Sequence, residues 1–249
     1  MRCFLYIVAF CIASSVLYAV ADTSKKTILC GVAKGFPPYQ YQAENLAPTG
    51  LDVEIIRNVA TRMGKTIVFQ QLPWDKVITS LRLGRIDCIA GIEINKKRET
   101  FFDFTTPYYM RKVVVFVRED NTNIQTIHDL RWQVVAGDRH SFVEEYFNQI
   151  GLRSQIRLYQ TDSKETSMLL LQQKTIVAVI APLEVGLYLA QKHHVKIKIL
   201  DNLDPGSPVG IAVAKGNTKL LKQIEISLQK LKQEGTIDSI VAKWRSPKK

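Results

Sequence analysis

Glu93 and Arg98 are the residues here whose types and spacing suggest chemistry. They lie in the stretch Gly91-Ile-Glu-Ile-Asn-Lys-Lys-Arg-Glu-Thr-Phe-Phe-Asp-Phe-Thr-Thr-Pro-Tyr-Tyr109. Asn95 is a preferred N-cap, so the residues after it should open a short polar helix with Arg98 in its first turn. Free backbone N–H groups at such a turn favour an anion. Arginine suits the opposite end of a helix, because the macrodipole is positive at the N-terminus. Its place here makes sense if something negative is to sit beside it. A guanidinium gripping a carboxylate through two parallel bonds is that device, with a solvated surface arginine as the plainer use. Glu93 offers a negative charge to a ligand or, alternatively, sits on a helix N-terminus favoured by its dipole.

Other chemistries find little to work with. The four histidines are His128, His140, His193 and His194. The adjacent pair cannot face one metal from one side of a helix, and no Cys-x-x-Cys accompanies it. His140 and Ser141 are neighbours, without a G-x-S-x-G elbow around the serine. No Walker loop or G-x-G-x-x-G occurs. No cofactor is expected. The formal net charge of +11 is spread over many segments, with a small cluster at Lys243, Arg245, Lys248 and Lys249. Scattered charge favours approach to anionic surfaces over nucleic-acid reading, so no nucleic-acid partner is expected.

These residues need elements to position them. Met1 to Ala21 reads as a signal peptide: Arg2, an apolar run from Phe4 to Ala13, and Ala19-Val20-Ala21 before cleavage. Cys11 sits too early, after a poor lipoprotein box, so the exported chain is read as soluble and not lipid-anchored. Of four cysteines only Cys30 and Cys88 then remain. Each lies in an apolar run, and a disulfide or two buried thiols are equally open. Thr27 to Ala33 predicts a buried strand, followed by a loop stiffened by Pro37 and Pro38. A helix follows Gly50, with Ile55, Ile56, Val59, Ala60 and Met63 on one face and Gly64 at its end. Thr66 to Gln70 is a strand, Pro73-Trp74-Asp75 opens a helix with Val77, Ile78 and Leu81 inward, and residues 86 to 92 form another strand. Such alternation implies α/β architecture with parallel strands and right-handed crossovers.

Further strands are predicted at Val113 to Val117, Gln133 to Gly137, Gln155 to Tyr159, Thr175 to Ala181, Val195 to Leu200 and Gly210 to Ala214. Helices follow Phe142, span Glu165 to Gln173, and begin at Pro182. Leu221, Ile224, Leu228 and Leu231 make a helical stripe, and a last helix carries Ile237, Ile240, Val241 and Trp244. Breaks near Tyr109–Arg111 and Pro205–Gly210 suggest two chain crossings between two α/β bodies.

Four segments, "FPPYQY", "GLDVEIIRNVATRMG", "GIEINKKRETFFDFTTPYY" and "GIAVAKGN…GTIDSIVAKW", together resemble the family 3 extracellular solute-binding proteins, the amino-acid receptors of ABC importers. The resemblance implies a two-lobed periplasmic-binding-protein type II fold, α/β, each lobe a mainly parallel sheet flanked by helices and joined by two hinge crossings. The first lobe would hold residues 22–110 and 211–249, and the inserted lobe residues 111–210. Arg98 would bind a ligand's α-carboxylate. Phe36 and Trp74 would wall its side chain, where flat faces suit an apolar stem or a cationic end. Gly91, Ile92 and Glu93 would form the ligand-contacting backbone segment, and His140 and Ser141 the loop whose amides help hold the carboxylate.

Three departures bear on specificity. Glu93 stands where the family often has Ser or Thr, and His140 where it has Gly. Pro182 stands where it has the acid that pairs with the ligand's ammonium. Glu93, or less directly Glu184, would have to replace that acid. A Glu93 facing the cleft beside Arg98 would favour zwitterionic or cationic ligands and penalise acidic ones, so basic amino acids, arginine first, are expected. By the same resemblance the protein is a periplasmic monomer that closes on a small molecule and delivers it to an inner-membrane ABC permease. Two other readings share the scaffold. In a cyclohexadienyl-dehydratase-like enzyme, Glu93 or Glu184 would act as general acid with a raised pKa. The other is a ligand-sensing receptor outside transport.

Overall fold

The computed structural model describes residues 26–138, 147–200 and 205–245. The expected signal peptide, His140, Ser141 and the predicted start of a helix at Phe142 lie outside these residues. No described helix is long and apolar enough to cross a membrane.

In chain order the elements are β1 (Thr27–Ala33), β2 (Gly35–Phe36), β3 (Gln40–Gln42), β4 (Pro48–Thr49), α1 (Leu51–Arg62), β5 (Thr66–Leu72), α2 (Trp74–Arg82), β6 (Cys88–Glu93), α3 (Lys96–Glu99), β7 (Phe102–Phe104) and β8 (Tyr109–Arg111). Next come β9 (Val113–Arg118), β10 (Val134–Asp138), β11 (Arg157–Thr161), α4 (Lys164–Gln172), β12 (Ala178–Pro182), α5 (Leu183–Lys192) and β13 (Ile197–Leu200). The chain ends with β14 (Ser207–Ala214), α6 (Thr218–Gln233) and α7 (Thr236–Arg245).

The strands form two main sheets. One has the order β5-β1-β6-β14-β7, with β8 also on β14; the other is β11-β10-β12-β9-β13. A small sheet, β2-β3-β4, lies in the loop region after β1. Strand-helix-strand units make β5, β1 and β6 parallel in the first sheet, and β11, β10 and β12 parallel in the second. Each sheet is nevertheless mixed, a correction to the mainly parallel expectation. β14 runs antiparallel to β6, β7 and β8, and β9 runs antiparallel to β12 and β13. These are the strands next to the passages between the sheets, where no helical crossover turns the chain around to make it parallel.

β14 also begins earlier than the predicted Gly210. Ser207, Pro208 and Val209 pair with Arg111, Met110 and Tyr109 of β8. Pro208 reads as a break because it lacks an N–H. Here its carbonyl still accepts the Ile94 N–H at 2.8 Å, so the strand continues through it.

Helix periodicity is expressed as burial. α1 buries Leu51, Ile55, Ile56, Val59 and Ala60, while Met63 is only partly covered. α6 buries Ile224, Leu228 and Leu231, and α7 buries Ile237 and Ile240. Cys30 and Cys88 are register partners across β1 and β6, and both are buried free thiols. A hydrogen bond to Cys30, together with burial, pushes the Cys88 thiol up. Leu228 has no exposed surface, so Leu228→Ala should cost about 2–5 kcal/mol through lost contacts and a residual cavity. Urea unfolding monitored by circular dichroism measures this, and a loss under about 1 kcal/mol would mean that α6 is not packed as described.

Candidate functional site

Ala33, Glu93 and Pro182 end three parallel strands, β1, β6 and β12, and Asp162 follows a fourth, β11. Outside the carboxyl ends of such strands lies the usual crevice for a ligand in open α/β sheets. A cavity of about 240 Å³ occupies this position between the two sheets. Phe36, Trp74, Gly91, Glu93, Arg98 and Arg111 line it from the first sheet's side; Val113, Asp162, Ser163, Lys164, Ala181 and Pro182 line it from the second.

Glu93 is committed at both carboxylate oxygens. One carboxylate oxygen accepts from Arg98 Nη1 at 2.8 Å and the other from Arg111 Nη1 at 2.7 Å. Burial would raise this carboxyl's pKa, but the guanidinium of Arg111, then that of Arg98, pulls it down to about 2. Glu93 is therefore ionised and paired. Arg98 is fixed by the same contact: its Nη1 donates to the Glu93 backbone oxygen as well as to the side chain, each at 2.8 Å. No other hydrogen bond leaves that guanidinium among the described residues, so Nε and Nη2 keep their donor capacity. Locally, α3 forms as predicted, with the Asn95 side chain accepting from Arg98 N at 2.9 Å. That cap fills the amide expected to attract an anion. It is the side chain of Arg98 that remains for a ligand.

Behind Glu93 the charges continue inward. Arg111, only 1% exposed, also reaches Asp52 at 3.4 Å and donates to the Tyr109 hydroxyl. Asp52 is wholly buried in the first turn of α1. It accepts from the hydroxyls of Tyr108 at 2.8 Å and Tyr109 at 3.1 Å, and from Gln40 Nε2 at 3.0 Å. Burial raises the Asp52 pKa, partly offset by Arg111 and these donors. Gly91 makes the arrangement possible. Its φ is +69°, and a Cβ there would overlap the Asp52 carboxylate and the Gln40 amide.

The aromatic walls are partly occupied. The Arg98 guanidinium carbon lies 5.8 Å from the Trp74 ring centre, and that of Arg111 lies 5.1 Å from Phe36 and 4.2 Å from Tyr39. Each ring thus already has a cation beside it.

The side chains of Ile92 and Glu184 lie away from the cavity, which leaves Ile92 only the backbone role expected of it. The Ile92 side chain packs with Val77, Leu81, Ile89 and Phe102 in an apolar cluster, because alternation along β6 turns it away from Gly91 and Glu93. Glu184 does not line the cavity. It accepts from the Tyr39 hydroxyl at 2.6 Å and pairs with Arg245 Nε at 3.1 Å, tying the start of α5 to the first sheet's side. Pro182 lines the cavity with an apolar ring and no charge.

Arg111, Asp52, Gln40 and Asp162 were not among the residues singled out from the sequence. Arg111 carried a signal, as a cation two residues before the apolar run Val113–Val117. Asp52 carried a weaker one, being hidden behind its ordinary place near a helix start.

Comparison with known proteins follows the same outline. A family model for bacterial extracellular solute-binding proteins, family 3, matches residues 28–247. The chain belongs to this family. The solute-binding protein is 26% identical to the L-cystine-binding protein TcyJ of Escherichia coli K12 over 220 residues, covering 88% of this chain and 82% of that one. It is 30% identical to the amino-acid-binding protein AabA of Dichelobacter nodosus over 244 residues, covering 92% and 90%. Its fold matches an ancestral arginine-binding protein bound to arginine with a TM-score of 0.82 at 28% identity, covering 88% and 98%. The solute-binding protein therefore has the two-lobed α/β fold of periplasmic receptors.

Glu93→Gln would leave two guanidiniums sharing one fewer anion, so it should destabilise the protein by roughly 3 kcal/mol at neutral pH. The folded pKa lies below the ordinary 4.5. Glu93's contribution is therefore fully present above that value and is lost as pH falls toward about 2. The gap between wild type and variant should narrow across that window in urea unfolding followed against pH. A gap independent of pH would contradict the ionised pairing.

Proposed function

We propose that this protein is the receptor of an ABC importer, capturing an α-amino acid by its carboxylate on Arg98 and presenting it, with the lobes closed, to an inner-membrane permease. The observation that carries this is the half-used guanidinium of Arg98. Glu93 fixes one terminal nitrogen, which leaves the edge formed by Nε and Nη2 for a bidentate carboxylate. Family membership and the amino acids named for the relatives support the ligand class. In this reading the hinge runs through Lys112 and residues 205–206, between the two sheets, and the protein acts as a periplasmic monomer.

The geometry changes the argument for a basic ligand. That argument needed Glu93 to be available, and both its oxygens are taken by arginines. The aromatic faces give a ligand guanidinium less than they would if unoccupied, since Arg98 and Arg111 stand beside them. Arginine thus enters as one amino acid among several, with no advantage from Glu93. The dehydratase reading loses its candidate acids: Glu93 is held ionised by two guanidiniums, and Glu184 is bonded to Tyr39 and Arg245 outside the cavity.

Thermal-shift measurement against the common amino acids and L-cystine should find a ligand that raises the melting temperature, since binding only the folded state stabilises by mass action. Arg98→Ala should then weaken that ligand by about 2–5 kcal/mol. The variant should still fold, because Glu93 keeps Arg111 as partner. Undiminished affinity in calorimetry would remove Arg98 from the site.

A further inference from the structure

We infer that Asp162, on the second sheet's side of the cavity, binds the ligand's ammonium group; this rests on the amino-acid reading above. Two acidic side chains line the cavity, Glu93 and Asp162. Glu93 is consumed by Arg98 and Arg111. Asp162 is exposed and makes no hydrogen bond or ion pair among the described residues. It occupies the short link between β11 and α4, just before Ser163, whose own side chain caps α4 by accepting from Thr166 N at 3.1 Å. The cap is therefore supplied without Asp162, and no described residue takes its carboxylate.

Its position suits a zwitterion. Arg98, on the other wall, keeps donors for a carboxylate, and Asp162 offers an acceptor from the second sheet; Lys164, on the same wall as Asp162, directs its buried ammonium to the Ile180 carbonyl at 3.1 Å. A carboxylate accepts the N–H bonds of an ammonium directly. In open solvent the charge of Asp162 is screened. When the lobes close on a ligand, water leaves and the same pair strengthens.

The test pairs each amino acid with its desamino analogue: L-arginine with 5-guanidinopentanoate, L-glutamine with 4-carbamoylbutanoate, and L-cystine with 3,3′-dithiodipropionate. Calorimetry would compare wild type with Asp162→Asn, whose fold is checked by circular dichroism and melting temperature. Asp162→Asn should weaken the amino acid roughly tenfold to a hundredfold, the range of a charge-assisted hydrogen bond, and leave the analogue within about threefold. Equal weakening of both members of a pair would make Asp162 a rim or loop residue and overturn the inference, with the amino-acid reading intact. An unchanged amino-acid affinity would do the same. Failure of wild type to bind any amino acid in the panel would overturn the reading itself, and the inference with it.

Discussion

The carboxylate of Glu93, held between the guanidiniums of Arg98 and Arg111, is the interaction on which this structure turns. Asp52, Arg111, Glu93 and Arg98 form a row of alternating charge from the interior outward to the cavity. Taking any one of these groups out of water alone would cost several kcal/mol. As a row they balance, and the surrounding backbone is shaped to keep it so. Gly91 adopts a left-handed conformation that leaves room for Asp52, and Gln40 bridges Asp52 to the Ala90 carbonyl. Two tyrosine hydroxyls supply the remaining donors to Asp52. Most of the cost of burying this much charge is met locally, with Arg111 Nε left as a buried donor that has no partner among the described residues. What emerges at the cavity is a rigid arginine with a free edge.

The row lies where the chain passes between the sheets. Arg111 ends β8, Val113 begins β9, and β14 returns to pair with both β8 and β6. Contacts between the two sides gather at the same end of the molecule. Tyr39 and Arg245 meet Glu184, Tyr41 stands 5.8 Å from Tyr188 ring to ring, and the Leu183 N–H donates to the Lys112 carbonyl. A charged cluster beside the crossings lets one set of residues serve both as cavity wall and as support for the passages between the sheets.

The outline of this site was legible in the sequence because its landmarks are local. Asn95 capping a short helix at Arg98 and aromatic residues at Phe36 and Trp74 can each be read from neighbouring residues. The roles of Glu93 and Arg111 were not legible, because they depend on strands far apart in sequence coming together. Glu93 read as a free carboxylate only while its second partner, 18 residues on, was unseen. Asp52 was masked by a conventional function, since an acid near a helix start is ordinarily a matter of dipoles and caps. The mixed sheets were missed for a related reason. Strand and helix alternation reports direction only where a helix links the strands, and β9 and β14 enter their sheets from the crossings instead.

On the proposed amino-acid reading, the division of charge between the walls also gives a reason for closure. A ligand that touched one sheet alone would bind open and closed forms equally well, and equal affinity shifts no equilibrium. Among the described residues, Arg98 on the first sheet's wall has an unfilled donor edge, and the wall's own carboxylate is committed internally. The second wall has the carboxylate of Asp162, an apolar ring at Pro182, and Lys164, whose buried ammonium donates to the Ile180 carbonyl at 3.1 Å. A molecule carrying a carboxylate and an ammonium on the same carbon can satisfy both walls only when they approach each other. On the proposed amino-acid reading, the internal neutralisation of Glu93 is what gives the second lobe its part: a free Glu93 would offer an ammonium partner on the first wall, whereas a Glu93 held by Arg98 and Arg111 leaves that partner to the opposite wall.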